Sequence, residues 1–186
     1  MAKLVYVANV SLDGYIEDAR GQFDWTAPSE EVFAFITDLL RPFGTYLYGR
    51  RLYETMAVWE TDPALAAQSE SMAAFAQVWQ AADKIVYSTT LEAVPTDRTQ
   101  VERRFDLDRV RELKATADTD IDIGGSVLAA QAFDAGLIDE CELFVYPVVV
   151  GAGKAAFAGD ASLRLDLLDE KRFRNGVVLL HYRVLS

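Results

Sequence analysis

The chain has 186 residues, 51% hydrophobic and 25% charged, which fits one ordinary globular domain spanning 1–186 and excludes a disordered chain. Its formal charge of −11 argues against nucleic acid or an anionic membrane as partner, so any anionic ligand must be met by a local basic patch or by helix N-termini. Cys141 is the single cysteine, which excludes an internal disulfide and a CxxC metal site; with no leader-like segment and no apolar run of about 20 residues, a cytoplasmic enzyme is expected.

Residues 3–9 (KLVYVAN) are β-prone and run into the turn Ser11–Gly14. Pro28-Ser29-Glu30-Glu31 opens a helix whose apolar residues Val32, Phe33, Phe35, Ile36, Leu39 and Leu40 recur at i, i+3, i+4 spacing, with Gly44 as its stop. Residues 45–49 (TYLYG) read as a strand and 50–56 (RRLYETM) as a helix beginning directly after it. Residues 57–68 read as a loop broken by Asp62-Pro63. An alanine-rich helix follows over 69–82, then a strand over 83–87 (DKIVY), an irregular or edge-like stretch over 91–105, and a short charged helix over 106–116. DIDI (120–123) is a further strand, and Gly124-Gly125-Ser126 leads into a helix stopped by Gly136. Residues 142–150 form a long β segment, and the chain closes on a hairpin about Asn175-Gly176. Strands alternating with helices predict a mostly parallel twisted sheet with helices on both faces, plus an antiparallel C-terminal hairpin.

Ligands of open α/β sheets collect where parallel strands end and helices begin. Gly49-Arg50-Arg51 offers a close backbone approach and positive charge for a phosphate, although two arginines at a turn can equally be solvated. Gly124-Gly125-Ser126 can cradle a pyrophosphate on backbone N–H groups, or simply permit tight packing. Ser88-Thr89-Thr90 can bond a phosphate or ribose, though such hydroxyls often bond their own backbone. Taken together, the three junctions point to a dinucleotide. One histidine (His181) and one cysteine leave no basis for a His-rich metal site, so no metal is expected. Among carboxylates, Asp13 follows the first strand, while Glu30 and Glu31 begin the first long helix, where acids usually complement the dipole.

The segments VANVSLDGYIE (7–17), YGRRLYETM (48–56), KIVYSTTL (84–91) and IGGSVLAAQAF (123–133) occur in the order seen in dihydrofolate reductases. GLIDECELFVYPVVVGAGKAAF (136–157) is similar to the C-terminal reductase domain of bacterial bifunctional deaminase-reductases of riboflavin biosynthesis and its stand-alone relatives, an affiliation SLDG supports. The resemblance implies a dihydrofolate-reductase-like three-layer α/β/α fold that binds NADPH and reduces a small pterin- or pyrimidine-like molecule; the alternative is a nucleotide-binding protein of that fold without efficient turnover. It implies that Gly49, Arg50 and Arg51 meet the 2′-phosphate side of the cofactor with Ser88 and Thr89. It sets Ile123, Gly124, Gly125, Ser126 and Val127 at the pyrophosphate, and Asn9 and Ile16 beside the nicotinamide. It leaves two candidates for the acid at the substrate: Glu30, with Glu31 one residue away, in the dihydrofolate reductase pattern, and Asp13 in the riboflavin pattern. The segment after the Gly-Arg motif lacks the Asp-Pro pattern of the riboflavin enzymes. A homodimer is the family habit.

Overall fold

The computed structural model describes residues 1–159 and 162–185. Its frame is an eight-stranded sheet. β1 (Leu4–Ser11), β3 (Thr45–Gly49), β4 (Asp83–Tyr87), β5 (Thr99–Glu102), β6 (Ile121–Gly124) and β7 (Glu140–Tyr146) run parallel, and the hairpin β9 (Arg164–Arg172)/β10 (Val178–Leu185) adds antiparallel to β7. The spatial order is β5-β4-β3-β6-β1-β7-β10-β9, so the chain starts in the middle and builds outwards on both sides. A second, two-stranded sheet pairs β2 (Tyr15–Asp18) with β8 (Gly153–Ala155).

Burial on both faces explains the apolar character of the central strands. α6 (Leu107–Thr116) and α7 (Ser126–Asp134) cover one face, where Leu4, Tyr6, Leu47, Ile121 and Ile123 pack against Val110, Leu128, Ala129 and Phe133. On the other, α1 (Glu30–Leu40), α2 (Arg50–Met56) and α5 (Glu70–Ala81) pack over Val5, Tyr46, Tyr48 and Val86. α1 reaches further, laying Val32, Phe35, Ile36 and Leu39 over Phe144, Tyr146 and Leu179 of the β7–β10 side. This is the three-layer α/β/α arrangement expected, with the hairpin turning at Gly176 (φ +90°).

Ser29 caps α1 by accepting the Val32 N–H, as its place before Glu30-Glu31 predicts. The helix ends at Leu40, short of Gly44, whose α-hydrogen side faces Thr119 so closely that a Cβ would collide with its hydroxyl. Residues 57–68 are not the expected loop. They fold into two four-residue helices, α3 (Val58–Thr61) and α4 (Pro63–Ala66), because Asp62 caps the N–H groups of Ala64 and Leu65 and Pro63 takes the first helical position. The Asp-Pro pair is a helix start, not a breaker. The β segment expected to reach Val150 ends at Tyr146, before Pro147, which has no N–H for the ladder.

Candidate functional site

Strands β4, β3 and β6 are neighbours, so their C-terminal ends bring the three predicted junctions to one rim of the sheet. Arg50, at the start of α2, donates to Glu54 at 2.7 Å and to the Thr90 hydroxyl at 2.8 Å, tying the first junction to the third. Arg103, at the end of β5, donates to the carbonyls of Ser88 (3.1 Å) and Leu91 (2.8 Å) and braces the same turn. Arg51 goes elsewhere: its guanidinium lies 3.2 Å from Glu17 of β2. The two adjacent arginines therefore serve different regions, and Arg50 alone shares the rim with Ser88–Thr90. The Ser88 hydroxyl accepts from the N–H groups of Thr90 and Leu91, the local turn bonding such a residue often makes; Thr89 is exposed beside it.

At β6–α7, Gly125 holds φ at +90°, a conformation L side chains rarely adopt, and the space a Cβ would take there is open. Gly49 is likewise open on its Cβ side. Ser126 is fully buried at the first turn of α7, and its hydroxyl has no partner. An open cradle, a helix start and an orphaned hydroxyl suit the oxygens of a dinucleotide's phosphates, with Arg50, already paired to Glu54, at the next strand end. Gly124 has another reason for being glycine: a Cβ there would collide with the tip of the Leu52 side chain and crowd the Tyr48 ring, so glycine allows α2 to pack closely on β6. Ile123 is wholly buried on the α7 face, while Val127 is 60% exposed on α7.

Against the α1 face of the strands lies a cleft of about 530 Å³. Val7, Ala8 and Asn9 of β1, Tyr48 of β3, Gly124 of β6 and Phe144 of β7 line it from the sheet. Phe33 and Ile36 of α1, Leu52 and Met56 of α2, Trp59 of α3 and Phe75 of α5 line it from the helices, and the 23–28 segment closes one side. Phe33 stacks on Phe75 with centroids 5.1 Å apart, and Trp59 tilts onto Phe75 at 4.7 Å. Of the two residues expected beside a nicotinamide, Asn9 lines this cleft, and Ile16 of β2 is half-buried against the opposite core.

Two carboxyls line this cleft: Asp24, exposed on the 23–28 segment, and Asp122, buried on the sheet. The buried one is the better placed for chemistry. It sits in register with Val5 and Tyr46 on its neighbours, which turns it to the α1 face while Ile121 and Ile123 turn away. It is 5% exposed, and its Oδ1 has no partner. Burial pushes the carboxyl well above the usual carboxylate range, and the charge of Glu142 pushes the same way, against a weaker pull from the Val7 N–H. Burial thus favours the protonated form of Asp122, which can donate and accept together.

The carboxylates expected from the first helix and the first turn are not among the lining residues. Glu30 is exposed at the start of α1, and Glu31 reaches the other way to accept the Arg174 N–H at 3.2 Å. Asp13 accepts the N–H groups of Val150 (3.2 Å) and Gly151 (2.7 Å), which ties the β1–β2 turn to the loop after β7. Hydrogen bonding from Ser11 and from those N–H groups lowers its carboxyl against the desolvation that opposes it. The signal for Asp122 was an acid between two isoleucines inside a strand buried on both faces, immediately before a Gly-Gly pair: a buried charge with no sequence-local partner. Among the described residues there is no cluster of acidic, His or Cys side chains that could hold a metal, and no helix is long and apolar enough to cross a membrane.

The sequence pattern of the RibD C-terminal domain matches residues 2–179. The uncharacterized protein YyaP of Bacillus subtilis (strain 168) is 29% identical over 179 residues, covering 93% of this chain and 90% of YyaP. In fold, the chain is similar over its whole length to a Shewanella sp. PV-4 protein ascribed to riboflavin biosynthesis (TM-score 0.76, 22% identity, all of that chain). It is similar also to the Thermotoga maritima diaminohydroxyphosphoribosylaminopyrimidine deaminase/5-amino-6-(5-phosphoribosylamino)uracil reductase (TM-score 0.67, 15% identity), where 99% of this chain covers 57% of that one. A pyrimidine reductase-like protein of Corynebacterium diphtheriae matches with TM-score 0.66 at 13% identity, covering all of this chain and 92% of its own.

Proposed function

The chain belongs to the RibD C-terminal domain family, and from that premise we propose that it is an NADPH-dependent reductase of a small pyrimidine- or pterin-like molecule, with Asp122 as the acid at the substrate. The observation that carries this reading is the buried carboxyl of Asp122, raised by burial, on the floor of a mostly apolar cleft that reaches Gly124 beside the phosphate-suited rim. Bound NADPH would supply a hydride, which adds to the carbon of a C=N or C=O bond while a proton adds to the nitrogen or oxygen.

The rest is the work of this chain's residues. Gly125 and Ser126 receive the pyrophosphate at the start of α7, and Arg50 with Thr90 meets a 2′-phosphate at the ends of β3 and β4. Phe33, Trp59 and Phe75 hold the flat ring and keep water from it. Asp122 orients the ring edge and releases its proton to the heteroatom as hydride arrives; Asn9 borders the reacting end. The test is loss of NADPH absorbance with a panel of pyrimidines and pterins, in the native chain and in Asp122→Asn. Turnover that falls by roughly 10²-fold with NADPH affinity retained supports the assignment, and unchanged turnover refutes it.

A further inference from the structure

The electrostatic character of the cleft narrows what it can accept. None of its lining side chains is Lys, Arg or His, and the acidic ones are Asp24 at the mouth and Asp122 at the floor. Of the basic groups near the 15–23 segment, Arg51 and Lys154 both face Glu17, at 3.2 and 3.7 Å, and Arg20 is exposed and outside the cleft lining. The N-terminus of α1, next to the lining residue Pro28, carries Glu30 and Glu31 in its first turn, which oppose the partial positive charge a helix start would offer. A phosphate drawn into this space would lose its water without gaining a counter-charge, a penalty no hydrophobic contact offsets. Basic and hydroxyl groups suited to phosphate gather instead at the other rim: Arg50 at the start of α2 with Thr90 after β4, and Arg103 after β5.

We propose that the substrate of this cleft is a planar heteroaromatic ring without a phosphate or other anionic substituent, bound by aromatic contact and by paired hydrogen bonds between one ring edge and the Asp122 carboxyl. A neutral carboxyl offers one O–H donor and one C=O acceptor side by side, which complements a lactam or amino-imine edge. The volume of about 530 Å³ admits such a ring together with a nicotinamide. The proposal takes the location of the site from the reductase reading, but it concerns binding and is tested without turnover.

The experiment uses the full chain saturated with NADP⁺ and follows quenching of tryptophan fluorescence, since Trp59 lines the cleft. The ligands are matched pairs that differ by one phosphate: 5-amino-6-ribosylaminouracil with its 5-phosphate, and 6-hydroxymethylpterin with its phosphate monoester. For at least one pair the unphosphorylated member binds about tenfold or more tightly than the phosphorylated one, with little dependence on salt. Asp24→Lys, at an exposed position, narrows that gap by about threefold or more while circular dichroism stays native. Equal or tighter binding of the phosphorylated members overturns the proposal, as does a gap unmoved by Asp24→Lys or failure of every unphosphorylated ring to bind. If the rings bind in the expected order and NADPH is never consumed, the proposal stands and the reductase reading falls.

Discussion

Two regions on one sheet divide the chemistry of this protein. The rim at the ends of β4, β3 and β6 is polar and open, built from helix starts, hydroxyls and Arg50. The cleft under α1 is aromatic, closed on one side by residues 23–28, and charged only by carboxyls. They meet at Gly124-Gly125, where one glycine lets Leu52 close the cleft and the next leaves the rim open. On the proposed reading, affinity for a phosphate-bearing cofactor and selection of a substrate rest on different side chains, so each is open to change alone.

The largest effect that tests this division is at Gly125. Gly125→Val forces a β-branched residue into φ +90° and fills the open space above the strand end. NADPH binding is expected to fall by more than about 10²-fold in a titration, with near-native circular dichroism. Normal cofactor affinity in that variant would remove the rim from the cofactor site altogether.

Next is Asp122→Asn, which separates function from stability. Turnover is expected to fall by roughly 10²-fold. Stability should move the other way. Because the folded carboxyl is raised above its unfolded value of 3.8, the unfolded chain gains by ionising as pH rises above about 4, and the native chain is penalised there. Asparagine removes that penalty, so the variant should be more stable than the native chain above the ordinary carboxylate range, by a margin that grows as pH rises. The gain should vanish as pH falls below the ordinary carboxylate range. Thermal melts over a pH series read this directly, and a variant less stable at every pH would show that Asp122 is a satisfied structural group.

A smaller effect sharpens the rim. Arg50→Ala removes a charge-assisted contact, so NADPH binding should weaken by about 1.5–3 kcal/mol while NADH changes far less. Arg51→Ala is the control, since its partner is Glu17 on β2. Equal losses of NADPH affinity in the two variants would mean that both arginines act on folding or on general charge.

The three junctions of the rim were legible in the sequence because their parts are local: a glycine and a helix start follow β3 and β6, and a run of hydroxyls follows β4. The parallel sheet and closing hairpin were legible for the same reason, through periodicity and the Asn175-Gly176 turn. The cleft was not. Asp122 gains its meaning from Val5 and Tyr46 on neighbouring strands, which turn it toward residues from four helices, and no spacing along the chain records that register. The divergent paths of Arg50 and Arg51 depend likewise on Thr90 and Glu17, some 40 and 34 residues away in sequence. The helices at 58–66 were missed for a different reason: the Asp-Pro pair has the same composition whether it caps a helix or breaks one.

The smallest expected effect is the one that contrasts most with a family-based reading of the first helix. Glu30 occupies the first position of α1, exposed and outside the cleft lining. Its contribution is then the favourable interaction of an acid with a helix N-terminus, so Glu30→Gln should lower stability by about 0.3–1 kcal/mol. Turnover should stay within about twofold of the native chain, since no proton or substrate edge depends on it. Asp13→Asn should behave similarly in turnover, because its carboxylate is spent on the N–H groups of Val150 and Gly151. Steady-state kinetics of these variants beside Asp122→Asn rank the three acids in one experiment. A loss of roughly 10²-fold on Glu30→Gln, with Asp122→Asn nearly silent, would move the acid from the floor of the cleft to the start of α1. It would also mean that residues 23–30 close over the substrate more tightly when the ring is bound, bringing the first turn of α1 into the cleft.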